Sequence, residues 1–265
     1  MLSEPELLSA CALAMVVCGV AAFAALTFVP APYGRYSSSP NASFYSFGMA
    51  PVSARVAWLV QEAPSFLLAL GAATGALGGA PRVRALSPNA FLTTLCLGHY
   101  FYRGFVYPLR IRGGKPTPFG VAALAFAFTA VNGWMQGRWL ASIADLDDGM
   151  NPAVSLLRPR FLVGVCVWLA GLSINLHSDA TLRALRKPGE TGYKIPMGGF
   201  FEFVSGANFF GEIVEWTGFA IAASVSLLPA ACFEGVPLLA TVARVPVLNL
   251  VLQPPVAFAL FTFFK

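Results

Sequence analysis

The sequence predicts an all-α fold, a polytopic bundle of membrane-crossing helices, from three features of its 265 residues. Hydrophobic residues make up 57% of the chain and charged ones only 11%, with a mean hydropathy of +0.70. That is too apolar for an ordinary water-soluble domain. Apolar runs of spanning length, roughly 17–25 residues each, recur from end to end. The stretches between them are mostly short and punctuated by Gly and Pro, which suits one compact domain over residues 1–265.

Six spans are predicted, at residues 7–29, 54–76, 89–109, 119–143, 161–182 and 203–228. Glu4 and Glu6 precede the first, and no basic n-region does. It therefore reads as a retained anchor helix with the N-terminus on the non-cytoplasmic side. The second is interrupted by Gln61 and Glu62, and its Gly/Ala-rich end at 69–80 suits close helix packing followed by an exit turn. The third carries Tyr100, Arg103 and Tyr107 on one face. Trp134 and Trp139 in the fourth and Trp168 in the fifth mark the membrane interface or core packing. Residues 237–264 are apolar but less regular, so a seventh span stays open.

Loop charge supports this orientation. With the N-terminus outside, the cytosolic loops hold nine basic residues: Arg35, Arg55, Arg110, Arg112, Lys115, Arg183, Arg186, Lys187 and Lys194. The opposite loops hold four, Arg82, Arg84, Arg158 and Arg160, offset by Asp145, Asp147 and Asp148. The bias follows the positive-inside rule. Juxtamembrane basic residues thus account for the net charge of +5, and no nucleic-acid partner is needed to explain it.

Cys11, Cys18, Cys96, Cys166 and Cys232 form no C-x-x-C pair and read as buried single thiols. His99 and His177 lack metal-ligand spacing, so no metal is expected. The sequon at Asn41 falls on the cytosolic side and reads as chance.

The polar content concentrates in residues 174–216. Polar groups in hydrocarbon are expensive, and are usually buried together and functional. At 100° per residue, Asn175, Asp179, Arg183 and Arg186 fall within about an 80° arc of one helix face. Asn208, Glu212 and Glu215 form a stripe on the next helix. With Trp58, Gln61 and Glu62 on the second helix and the face on the third, four helices aim polar side chains inward. Basic turns at Arg112–Lys115 and Arg186–Glu190 suit an anionic ligand, or simple positive-inside anchoring. Neither a G-x-G-x-x-G after a predicted strand nor a P-loop occurs, so any dinucleotide is held by helices.

Several segments carry a resemblance. They are N-x-H-S-D from Asn175, L-R-K-P-G-E from Leu185, G-Y-K-I-P-x-G-G from Gly192 and G-A-N-F-x-G-E-I-x-E-W from Gly206. Upstream lie A-W-x-x-Q-E-x-P-S from Ala57, H-Y-x-x-R from His99, R-G-G-K-P from Arg112, and Tyr33-Gly34-Arg35-Tyr36. In order and spacing they resemble the steroid 5α-reductase family over residues 33–228.

The resemblance implies NADPH-dependent reduction of the C4–C5 double bond of 3-oxo-Δ4 steroids, such as testosterone or progesterone, in the endoplasmic reticulum membrane. It implies that Glu62 and Tyr100 hold the 3-keto oxygen and that Trp58 and Gln61 line that pocket. Asn175, Asp179, Arg183, Arg186, Tyr193, Asn208 and Glu212 match cofactor-facing positions, and Tyr107 and Lys115 are further candidates. The residue types suit the chemistry. Reduction at C5 drives negative charge onto the 3-keto oxygen, where hydrogen-bond donors stabilise the transition state more than the ground state. Tyr100 can donate directly, and Glu62 only in its protonated form. The steroid would enter from lipid into an apolar cavity.

Residues 231–265 diverge from the family pattern. Where the family has an apolar seventh helix and a basic, aromatic tail, residues 231–256 carry Pro237, Pro246, Pro254 and Pro255, and 257–264 look like the start of a seventh helix. The expected tail, which supplies further cofactor contacts in the family, is missing. Two alternatives follow. One is a catalytically impaired, truncated isoform that binds lipid or pairs with another membrane protein. The other is a related lipid enoyl or polyprenol reductase, against which the Q-E and H-Y segments argue.

Overall fold

The computed structural model describes residues 2–28, 44–79, 81, 83–147, 149, 151–185 and 194–224. Among them there is no β-strand, only an isolated bridge in which Val52 and Thr117 exchange two 2.8 Å main-chain hydrogen bonds. The α-helices are α1 (Glu4–Phe28), α2 (Ala54–Ala73), α3 (Pro88–Phe101), α4 (Tyr107–Arg110), α5 (Phe119–Arg138), α6 (Pro152–Ser155), α7 (Pro159–Ala184) and α8 (Ala207–Ala223). A π-helical turn, Tyr102–Val106, joins α3 to α4, and a second, Trp139–Ile143, extends α5.

Four stretches are long and apolar enough to cross a membrane: Glu4–Ala25, Ala54–Ala73, Phe119–Ile143 and Pro159–Ala184. The chain is a helical, multi-pass membrane protein by this measure. Of the six spans expected, four are thus met in full. The third is divided into a 14-residue α3, a π turn and a short α4, and α8 has 17 residues. Neither is a single α-helix of full spanning length within the described residues. The open seventh span and the divergent 231–265 segment lie outside the described residues.

Local chemistry sets the helix starts. Ser53 Oγ accepts from the Val56 N–H at the head of α2, and Ser87 Oγ accepts from the Ala90 N–H at the head of α3, where Pro88 opens the helix. Pro64 interrupts the hydrogen-bond ladder of α2 because it has no N–H. α5 is fastened to α2 beside that break: the Thr129 hydroxyl donates to the Gln61 carbonyl, and Ser65 Oγ donates to the Thr129 carbonyl over 3.0 Å.

α7 and α8 are packed main chain to main chain through glycines seven residues apart on each helix. A Cβ placed on Gly171 would stand 2.1 Å from the Glu215 nitrogen, and one on Gly218 would stand 2.2 Å from the Trp168 nitrogen. Gly211 and Gly164 meet Asn175 and Ala222 just as closely. Without a hydrophobic drive between helices in lipid, such close approach of small residues is what holds two helices together. Gly137 meets Ala69 and Ala72 in the same way, so the 69–80 run does pack closely before its turn.

Two ends of the bundle can be told apart. At one, Arg138 pairs with Glu4 and donates to the Gly78 carbonyl, gathering the start of α1, the turn after α2 and the end of α5. At the other, Arg55 donates twice to the Ile111 carbonyl, at 3.0 and 2.9 Å, tying the start of α2 to the chain after α4. The main apolar core lies between α3, α5, α7 and α8, where Leu92, Leu140, Phe161, Trp168 and Trp216 are buried together. Trp134 and Trp139 also pack against buried clusters. The cysteines differ from expectation, since among the described ones only Cys96 is buried, while Cys18 and Cys166 are exposed; Cys232 lies outside the described residues. A membrane helix presents an apolar surface outward as well as inward, so a thiol is accommodated on either.

Candidate functional site

Arg103, in the π turn after α3, is the hub of a buried polar cluster. Its guanidinium reaches Asp179 Oδ2 at 2.9 Å and Glu212 Oε1 at 3.0 Å, with all three side chains at most 3% exposed. Asn175 Nδ2 donates to the same Glu212 oxygen at 3.1 Å and to the Asn208 carbonyl at 2.9 Å. The guanidinium also lies 4.8 Å from the ring centres of both Trp58 and Tyr107, whose rings are 5.0 Å apart. Arg183, one turn beyond Asp179, lies 5.8 Å from the Tyr107 ring. Cation–π contact of this kind strengthens as water is excluded.

A second buried pair sits one turn back along α3. His99 Nδ1 and Glu215 Oε1 are 2.7 Å apart, and His99 packs edge-on to Tyr100 and Trp216. The Tyr100 ring stacks near Trp216 at 5.6 Å, and its hydroxyl accepts from Asn132 Nδ2 at 2.8 Å. Glu62, half-buried, comes to the same region from α2. Its main chain abuts Gly104, where an added Cβ would stand 3.4 Å from the Glu62 carbonyl carbon, and it lies within electrostatic reach of Arg103 and Glu212.

Several buried acceptors here have no partner among the described residues: Asn175 Oδ1, Asp179 Oδ1, Ser178 Oγ and Glu215 Oε2. The Trp58 indole N–H is likewise unmatched. Unmatched buried polar atoms are costly and call for an explanation. Arg183 also lines a cavity of about 550 Å³, together with Arg55, Arg110 and Arg112 and with Ala180 and Ala184 from α7. Among the described residues no Asp or Glu lines it. The cavity is at the Arg55–Ile111 end of the bundle.

The expected site residues thus divide. Asn175, Asp179, Asn208 and Glu212 share one hydrogen-bonded network, which Trp58, Tyr107 and Arg183 flank. Tyr100 and Glu62 lie beside it, and Gln61 is held through its main chain. Lys115 is exposed and is not among the residues lining the cavity. Arg186 and Tyr193 lie outside the described residues. Arg103, His99, Glu215, Asn132, Arg55 and Arg110 join the site without having been among its expected members. A signal for Arg103, His99 and Glu215 was available, because each is a titratable residue inside an apolar run. Among the described residues no group of three or more His, Cys, Asp and Glu is arranged to hold a metal ion.

Fold and site together define a membrane-embedded protein whose polar centre is built from helix faces. A family model described as 3-oxo-5-alpha-steroid 4-dehydrogenase matches residues 115–244. The chain is 49% identical over 222 residues to 3-oxo-5-alpha-steroid 4-dehydrogenase 1 of Bos taurus, covering 83% of this chain and 81% of that protein. It is 44% identical over 220 residues to the Homo sapiens protein of the same name, covering 83% and 79%. To 3-oxo-5-alpha-steroid 4-dehydrogenase 2 of Sus scrofa it is 41% identical over 218 residues, covering 80% of each. The chain belongs to the 3-oxo-5-alpha-steroid 4-dehydrogenase family.

Proposed function

We propose that this chain reduces the C4–C5 double bond of 3-oxo-Δ4 steroids with NADPH, at a site inside the endoplasmic reticulum membrane. The observation that carries this reading is that one bundle holds Tyr100 and Glu62 beside the buried polar cluster, while Arg183, next to that cluster over the Tyr107 ring, lines the four-arginine cavity. Family membership gives the reaction class. Both segments short of full spanning length, residues 89–110 and 203–224, also cross the bilayer in this reading. The N-terminus is lumenal and the arginine cavity cytosolic, in keeping with the loop charges.

The residues present fit a phosphorylated dinucleotide. Guanidinium groups fork onto phosphate, and four of them line a cavity that has no carboxylate among its described residues. The partnerless oxygens of Asn175 and Asp179 suit ribose hydroxyl or carboxamide donors. When bound, the reduced nicotinamide supplies the hydride. Arg55, Arg110, Arg112 and Arg183 would hold its phosphates, with Asn175, Asp179, Asn208 and Glu212 on its polar groups; Arg186, Tyr193 and Lys115 remain further candidates from the family motif.

The chain's own part is to bind the steroid oxygen. Tyr100, and Glu62 in its protonated form, donate to the 3-keto oxygen as negative charge gathers there. Donors fixed in a site closed to water stabilise that charge without reorganising. Trp58 and Gln61 line the same pocket, and Arg103 holds α3 against α7 and α8 so that the donors keep their place.

Membranes carrying the chain, NADPH and testosterone or progesterone should yield the 5α-reduced steroid. Tyr100→Phe and Glu62→Leu should each lower kcat by about 10²-fold, the scale for losing one donor to a developing oxyanion, while NADPH binding persists. Normal turnover in both variants would refute the carbonyl assignment. Separately, Arg112→Ala and Arg183→Ala should raise the KM for NADPH about tenfold or more, as expected for a lost charge-assisted contact. An unchanged KM in both would remove the arginine cavity from the cofactor site.

A further inference from the structure

The Tyr100 hydroxyl is held by a residue that no motif singles out. Asn132 lies within α5, is 1% exposed, and donates from Nδ2 to the hydroxyl oxygen over 2.8 Å. α3 and α5 run antiparallel here. Asn89, at the start of α3, donates to the carbonyls of Leu140 and Ala144 at the far end of α5, at 2.8 and 3.0 Å.

Asn132 is itself fixed from the other side. Its neighbour Gly133 is so close to α2 that a Cβ there would come 2.5 Å from the Ser65 Cα. One turn earlier, Ser65 Oγ donates to the Thr129 carbonyl and the Thr129 hydroxyl donates to the Gln61 carbonyl. α5 is therefore clamped to α2 at the level of Gln61 and Ser65, and it carries Asn132 at a set height against Tyr100.

We propose that Asn132 is a positioning residue for the reaction, orienting the Tyr100 hydroxyl so that its hydrogen meets the steroid 3-keto oxygen. This rests on the reading of Tyr100 as a carbonyl donor. A phenolic oxygen both accepts and donates. The Asn132 amide takes up acceptor capacity and sets the rotation of the C–O–H group without drawing on its hydrogen. Hydrogen bonds in a chain polarise one another in a low-dielectric interior. The tyrosine then donates more strongly as charge builds on the substrate. In this proposal Asn132 acts through Tyr100 alone. A strap that only joins α3 to α5 would instead lower heat stability and NADPH binding together with kcat, whereas a positioning role lowers kcat with both unchanged.

The test is a double-mutant cycle on the full chain in membranes, with testosterone and NADPH. Asn132→Asp keeps the side-chain shape but offers an acceptor, which captures the hydroxyl hydrogen, and Asn132→Leu removes the contact. Each should lower kcat about tenfold or more, with the KM for NADPH unchanged. In the Tyr100→Phe background, the same substitutions should change kcat by less than about twofold, the limit of additivity error. Losses that multiply in that background, or normal kcat in both single variants, overturn the proposal. A slow Tyr100→Phe combined with multiplying losses removes only the role of Asn132 and leaves the carbonyl reading standing. A Tyr100→Phe that turns over normally removes both. NADPH binding reports on folding, and if one Asn132 variant fails to fold the other completes the cycle.

Discussion

Replacing Arg103 by leucine is expected to destabilise the protein by about 3–5 kcal/mol, the cost of removing one partner from a buried ion pair. The substitution leaves Asp179 and Glu212 facing each other with no cation between them, and both are all but sealed from solvent. It also removes the guanidinium from between the Trp58 and Tyr107 rings. Arg103→Lys should recover only part of the loss, because an ammonium cannot reach two carboxylates and stack between two rings at once. The midpoint of heat denaturation of the detergent-extracted protein, followed with and without NADPH, measures the effect. A triple replacement, Arg103→Met with Asp179→Leu and Glu212→Leu, sharpens the test. Apolar substitution of a whole buried ionic cluster is often neutral or stabilising. Stability should therefore return towards the original while NADPH binding stays lost. If Arg103→Leu melts like the parent, the cluster is not what joins α3 to α7 and α8.

The positions of most elements were legible because membrane helices announce themselves by length and apolarity. The predicted 54–76, 119–143 and 161–182 segments coincide with α2, with α5 plus its π turn, and with α7 to within a few residues. The polar stripe through Asn175, Asp179 and Arg183 was legible too, since a straight helix converts spacing into a face. What spacing could not give was the partner across the interface. Tyr100, Arg103 and Tyr107 share a face, yet nothing in their spacing says that Arg103 meets Asp179 and Glu212 while Asn132 meets Tyr100. Hydropathy was also blind to the π turn at Tyr102–Val106, which changes hydrogen bonding without changing composition. In the sequence the basic loop residues form one undivided group. Only folding distinguishes Arg110 and Arg112, which line the cavity, from Lys115, which does not.

Adding a single methyl group at Gly171 should be among the most damaging small changes available to this chain. Its Cβ would stand 2.1 Å from the Glu215 nitrogen and 2.6 Å from the Gly211 carbonyl oxygen, so the obstacle is main chain and cannot turn aside. α7 and α8 must then separate. The hydrogen bonds at stake lie one turn away, where Asn175 reaches Glu212 and the Asn208 carbonyl. Gly171→Ala should cost about 3 kcal/mol, the upper part of the range for overpacking a tight core, and should weaken NADPH binding along with stability. Gly98→Ala is the matched control. Gly98 lies in α3 with nothing within 4 Å of an added Cβ. There the same methyl should stabilise slightly, by about 0.5–1 kcal/mol, because alanine is the better helix former. The difference between the two melting midpoints isolates the glycine contact from helix propensity. Equal midpoints, or a Gly171→Ala protein that binds NADPH as the parent does, would mean that α7 and α8 can part without disturbing the site between them.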